Sequence, residues 1–403
     1  MWFRSRRLLR ESKPREGNTI TRRESRKFGP RSLESLEVRA LMSHVGHGIA
    51  PHTIHALARR QTRFVQTNLV SDGAVPTPVT DPKLVNPWGL VASKTSPWWV
   101  SDNHTGFSTL YSGTGAKLGL EVMIPPPNGS PAGTTAAPTG IVFNGNTSEF
   151  LVNGPGTYAH FIFATEDGTI AAWNSGTSAV LKADNSAAGA IYKGLALANN
   201  GGADFLYATN FHAGTVDVFD SSFHQVALTS RAFTDSRIPK GYAPFGIASV
   251  TPPGSSQNFL FVTYAKQDAE KHDDVAGRGR GFVDVFDTSG HLLRRVASGG
   301  SLNAPWAIAL APSNFGRNSN ELLIGNFGDG RINAYKFLQG RWQRFVFAGQ
   351  LSNVRGRPIS IDGLWGLAFG NDAGAGPSNT LYFTAGVNDE ANGLFGTLTT
   401  ASM

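Results

Sequence analysis

Cysteine is absent from all 403 residues, which excludes disulfides, thiolate metal sites and a cysteine nucleophile. No stretch approaches 18 consecutive apolar residues, so the sequence offers no membrane-spanning helix. Charge is scarce, at 16% Asp, Glu, Lys and Arg. Compact catalytic signatures are missing too: there is no Gly-x-Ser-x-Gly elbow, no Walker-type phosphate loop and no His-Glu-x-x-His. What the chain does hold is 47 Gly and 22 Pro, set between short apolar segments. Those segments run about 5 to 9 residues, the length of strands, and tight turns separate them. The pattern predicts an all-β fold held together by packing and strand pairing alone.

The formal charge of +7 is unevenly placed. Residues 1–63 carry 15 basic and 5 acidic side chains, leaving 21 and 24 for the rest of the chain. The body is therefore slightly acidic, and no nucleic-acid partner is expected. Residues 1–61 combine basic clusters such as Arg22-Arg23 and Arg26-Lys27 with little apolar periodicity, and predict a basic, mostly disordered leader. An ordinary secretion signal is missing, because Leu8-Leu9 is followed at once by Arg10-Glu11. Within residues 28–43, the string Leu36-Glu37-Val38-Arg39-Ala40-Leu41-Met42-Ser43 resembles a short element found ahead of many large exported bacterial proteins. That resemblance implies export and an extracellular or envelope location. The plainer reading is one amphipathic helical turn.

From residue 62 onward the sequence repeats. An aromatic or polar residue, then a small one, then an apolar run recurs at Trp88-Gly89, Thr139-Gly140, Lys193-Gly194, Phe245-Gly246, Trp306-Ala307 and Trp365-Gly366, at intervals of 51, 54, 52, 61 and 59 residues. A second mark follows each, a glycine with a large apolar residue five positions on, as in Gly106 and Tyr111 or Gly281 and Phe286. Units of this size with three or four short strands are propeller blades. Residues 62–400 are thus predicted to form a six-bladed β-propeller, with small residues where six inner strands crowd the axis. The sixth blade offers only three strands. The strand-like residues 64–70, which belong to no blade of their own, are predicted to complete it and seal the ring.

The strings Leu84-Val85-Asn86-Pro87-Trp88-Gly89, Gly325-Asn326-Phe327-Gly328-Asp329-Gly330 and Asp362-Gly363-Leu364-Trp365-Gly366 resemble an uncharacterised bacterial family of exported NHL-like propellers. Ala307 departs from the glycine that this resemblance leads one to expect. The family brings no established reaction, ligand or catalytic residue.

In a propeller, the loop leading into each inner strand and the loop between the second and third strands share one face. Candidate ligand-binding residues on that face are Asp102, Asn103, His104, Asn210, His212, Asn326, Asp329 and Asp389, with Trp88, Trp306 and Trp365 at the mouth of the channel. The tryptophans suit either a stacking surface for a sugar or aromatic ligand or packing wedges, and recurrence at one blade position favours wedges. His104 and His212 could form a zinc pair, but spacing nominates no third ligand. Six-bladed lactonases of similar architecture hold a divalent ion with Glu, Asn and Asp from separate blades. The nearest equivalent set here is Glu166, Asn210, Asn326 and Asp389, oxygen donors that suit Ca2+. Tight hairpin turns demand the same Asn and Asp residues, and turn chemistry is the stronger explanation. The long charged loop of residues 265–280 breaks the repeat and is placed either as a cation binder, through Asp268, Asp273 and Asp274, or as a cap on the channel.

Two functions fit. One is an extracellular, monomeric binding propeller that engages a protein, glycan or small ligand with its channel-mouth face. The other is a divalent-metal-dependent hydrolase or lyase with its site in the central channel.

Overall fold

The computed structural model describes residues 62–338 and 341–401. The leader expected over residues 1–61, with its export element at 28–43, lies outside them. Among the described residues the only helical elements are two 3-10 turns, Ser186–Ala188 and Gly316–Asn318, and no helix is long and apolar enough to cross a membrane.

Six four-stranded antiparallel blades follow one another along the chain. Their inner strands are Pro87–Val91, Pro138–Phe143, Tyr192–Asn200, Tyr242–Val250, Pro305–Leu310 and Leu364–Phe369. Each inner strand packs against that of the next blade, and the sixth against the first. The chain is therefore a six-bladed propeller. Its sixth blade is completed by the first described strand: Arg63–Ser71 pairs antiparallel with Leu394–Thr400, with Val65 opposite Thr399 and Thr67 opposite Thr397. The sealing strand is tied at both ends by short parallel pairings, to Ser352–Asn353 and to Val79–Thr80.

Six apolar clusters lie one between each pair of neighbouring blades, so no blade buries its faces alone. Trp99 and Leu110 of the first blade meet Phe161 and Phe163 of the second, and Tyr111 of the first meets Tyr382 and Phe395 of the sixth.

The inner strands explain the repeated small residue. In every blade the pairing between first and second strands slips there, as between Pro87 and Leu90 or Pro244 and Ile247. The slip is a bulge that turns the inner strand toward the next blade. A Cβ at Gly89 would collide with the carbonyl of Thr139, one at Gly140 with the amide of Leu195, and one at Gly246 with the carbonyl of Trp306. In the third, fourth and sixth blades a threonine on the second strand bridges the gap left by the slip. Thr209 and Thr384 accept from the N–H of Gly194 and Gly366 at 2.8 Å, and donate to the next blade at the carbonyls of Phe245 (2.7 Å) and Trp88 (2.6 Å). The exceptional Ala307 is matched by Gly325 directly opposite it, at the strand position where those blades carry threonine. The space lost on one strand is returned by its partner.

Candidate functional site

The residue before each small one closes the channel at its mouth. Trp88 and Trp365 stack with ring centroids 3.5 Å apart, Phe327 stacks on the other side of Trp365 at 4.0 Å, and Trp306 meets both tryptophans edge-on. Trp88 and Trp365 are 1% exposed. These rings pack on one another as a plug, in which Trp306 and Phe327 are partly buried. Behind the plug, the inner strands enclose a cavity of about 400 Å³ lined by residues such as Leu90, Ile141, Leu195, Ile247, Ile308 and Leu367.

On the mouth side, a polar chain crosses five blades. The Asn86 amide donates to Glu390 at 2.9 Å and to Asn103 at 3.3 Å, and the Asn86 carbonyl oxygen accepts from the Trp365 indole at 2.9 Å. Asn103 donates to Glu166 at 2.8 Å. The other Glu166 oxygen receives the ammonium of Lys193, which also reaches Asp273 at 3.1 Å. Asp273 is bonded in turn to the Nδ1 of His272 at 2.8 Å. His104 joins the chain at Asn86, 3.3 Å away. Asn86, Asn103 and Lys193 are buried, whereas His104, His272 and Asp273 are exposed. The result is a buried polar floor under a solvent-facing rim.

Sequence and backbone explain how these groups are held. Lys193 takes the blade-three position that other blades fill with Trp88, Thr139, Phe245, Trp306 and Trp365, and its ammonium lies 5.2 Å above the Trp88 ring and 5.9 Å from Phe211. His272 and Asp273 arrive on the long loop of the fourth blade, which Gln267 anchors by donating to the Phe211 carbonyl at 2.6 Å. Asn86, Asn388, Asp389 and Glu390 have left-handed backbones, with φ of 47°, 59°, 53° and 65°. Such strain in side-chain-bearing residues concentrates where a site must be held in one geometry.

The electrostatics are strongly coupled. Burial opposes the charge on Lys193, but Glu166 and Asp273 outweigh it and hold the ammonium above its ordinary pKa. Burial would also raise Asp273, yet the bond to His272 and the charge on Lys193 hold its carboxyl well below the usual range. The bond to Asp273 raises His272, while partial burial lowers His104. Glu390 is pushed up to about 7, by burial first and the negative charge of Glu166 second. Asp274 is also pushed to about 7, chiefly by burial, and its Oδ2 has no hydrogen-bond partner. Titratable groups shifted apart within one cluster are an arrangement that active and binding sites share with structural ion-pair networks.

An uncharacterised protein of Acanthamoeba polyphaga mimivirus is 32% identical to this chain over 351 residues, covering 84% of the chain and 81% of the viral protein. The chain belongs to that protein's family. A second uncharacterised mimivirus member is 31% identical over 345 residues, 82% of this chain and 84% of its own. The resemblance read from the motifs was to bacterial propellers, whereas these members are viral. No family model matches the chain. Among solved structures, a virginiamycin B lyase from Staphylococcus aureus (TM-score 0.45, 13% identity, 85% of this chain and 100% of that one) and a glucose dehydrogenase (TM-score 0.48, 12% identity, 84% and 100%) are similar. Scores this low carry no argument about activity.

In this member of the mimivirus-protein family, the candidate residues separate into two groups. Asn103, His104 and Glu166 lie in the polar chain, and Trp88, Trp306 and Trp365 lie in the plug beneath it. The others are engaged within their own blades. Asp102 is buried below the mouth, accepts from Thr109 at 2.7 Å and is raised well above the usual carboxyl range by burial. Asn210 donates to Asp217 at 2.9 Å and accepts from the backbone of Ala213 at 3.2 Å. Asn326 donates to Asp329 and to the Ser301 carbonyl, each at 2.9 Å. Asp389 is exposed beside Glu390. The Ca2+ set of Glu166, Asn210, Asn326 and Asp389 is joined by no hydrogen bond among its members. Among the described residues, the one group of three or more His, Asp or Glu side chains whose ligand atoms lie within 4.8 Å of one another is Glu166, His272 and Asp273, which includes neither His104 nor His212. Asp273 carried the expectation of a cation-binding loop, whereas Lys193, Glu390 and His272 sat in mouth-facing loops with no role assigned. A lone charge in a ring of otherwise uncharged residues was the mark that pointed to Lys193.

Proposed function

We propose that the protein is exported and binds the hydroxyl-rich end of a glycan with its channel-mouth face. The observation that carries this reading is the convergence of side chains from five blades on a buried floor, with one carboxylate oxygen each of Asp273 and Glu390 left to accept from a ligand. Sugar hydroxyls are donors of the right kind, and a preformed polar cluster on a rigid ring limits the ordering cost of binding. Export rests on the element at residues 28–43. The competing reading, a metal-dependent hydrolase or lyase of lactonase type, would draw on Asn210, whose amide oxygen already accepts from the backbone of Ala213, and on Asn326, whose amide oxygen is buried without a partner.

A glycan array probed with the wild-type chain, followed by calorimetry on any hit, tests the reading. Binding is expected to fall at least tenfold, about 1.4 kcal/mol, in Asp273→Asn and in Glu390→Gln. Absence of glycan binding across the array, or binding that both variants leave intact, would rule it out.

A further inference from the structure

The three groups able to share a metal ion are already bridged by a charge. Glu166 comes from the second blade and His272 and Asp273 from the fourth. Between them, from the third blade, the Lys193 ammonium bonds both Glu166 and Asp273. Its side chain is 2% exposed, and its ammonium lies 5.2 Å from the Trp88 ring and 5.9 Å from that of Phe211. Its partners are these two carboxylates, Glu166 largely buried and Asp273 exposed. A divalent ion entering here would have to expel a buried ammonium, and burying an unpaired charge elsewhere costs several kcal/mol.

We propose that Lys193 is the resident cation of the channel mouth, occupying the seat that a divalent ion would take and orienting Glu166 toward Asn103. The site therefore works without a metal, and loss of the ammonium with its volume kept converts it into a metal site. One imidazole and two carboxylates with an open position suit Zn2+ or Mn2+ better than an all-oxygen ion such as Ca2+. The inference concerns the same site as the glycan reading but not its ligand, so the two can fail separately.

The test is calorimetric titration of chelator-stripped, full-length protein with ZnCl2, MnCl2 and CaCl2. Wild type is expected to show no Zn2+ binding that His272→Ala removes. Lys193→Met is expected to gain one Zn2+ per chain, at least tenfold tighter than anything in wild type, with little response to CaCl2. The gain should vanish in Lys193→Met/His272→Ala. A wild-type Zn2+ site that His272→Ala abolishes would overturn the proposal, and that arm stands even if Lys193→Met does not fold. A folded Lys193→Met that binds Zn2+ no better than wild type would also overturn it. Glycan binding, measured alongside on wild type in excess EDTA, reports on the other reading alone.

Discussion

Asn86 and Glu390 are 304 residues apart in the chain, yet their side chains are hydrogen-bonded at 2.9 Å. The bond joins the first blade to the sixth, across the seam that the Arg63–Ser71 strand seals. A polar floor built from both sides of a seam exists only when the ring is shut.

The first prediction follows from that seam. Gly396 lies beneath the sealing strand, and a Cβ there would meet the Thr67 carbonyl and the Phe383 ring, each at 2.6 Å. Gly396→Val is expected to lower the melting temperature and raise protease cleavage near residue 70. A melting temperature equal to wild type would show that the seal contributes nothing.

The second concerns the plug. Trp365 stacks on Trp88 and Phe327 and donates to Asn86. Trp365→Ala should cost about 3–5 kcal/mol in denaturant unfolding, the range for emptying a large aromatic site. Trp365→Phe keeps a ring but leaves the buried Asn86 oxygen unpaired, for about 1–3 kcal/mol. The order of the two losses is the readout, and a reversed order would refute the plug.

The third concerns pH. Glu390 has its folded pKa raised from 4.5 to about 7, so the folded state holds a proton that the unfolded state has released between those values. Stability from this group is full below about pH 4.5 and declines as pH rises through 7. Asp274, raised from 3.8 to about 7, acts in the same direction. Melting curves of wild type against Glu390→Gln across pH 4 to 8 should converge at the acid end, with the variant less sensitive to rising pH. Parallel curves would contradict the shift.

The fourth uses the threonine bridge. Ser101 occupies in the first blade the strand position of Thr209 and Thr384, and its buried hydroxyl has no partner. Ser101→Thr should favour one rotamer and supply the bridge between Gly89 and the Thr139 carbonyl, stabilising by about 0.5–1 kcal/mol. A drop in melting temperature would mean that the first blade lacks room for it.

The ring was legible because its causes are local. Gly89, Gly140, Gly194, Gly246 and Gly366 recur since each must pass close to the next blade, and the missing strand of the sixth blade pointed directly to residues 64–70. The site was less legible because its bonds run between blades. Nothing near Lys193 in sequence announces Asp273, and a string of letters does not show that the amide nitrogens of Asn210 and Asn326 are taken by Asp217 and Asp329. Ala307 read as a flaw only while Gly325 opposite it was unseen.

The slip at each inner strand has a further consequence. Because every small residue there is fitted to the backbone of its neighbour, a unit cannot be gained or lost without remaking contacts all the way round. Segments outside the hub, such as residues 265–280, carry no such constraint, and length and charge can change there while the hub stays as it is.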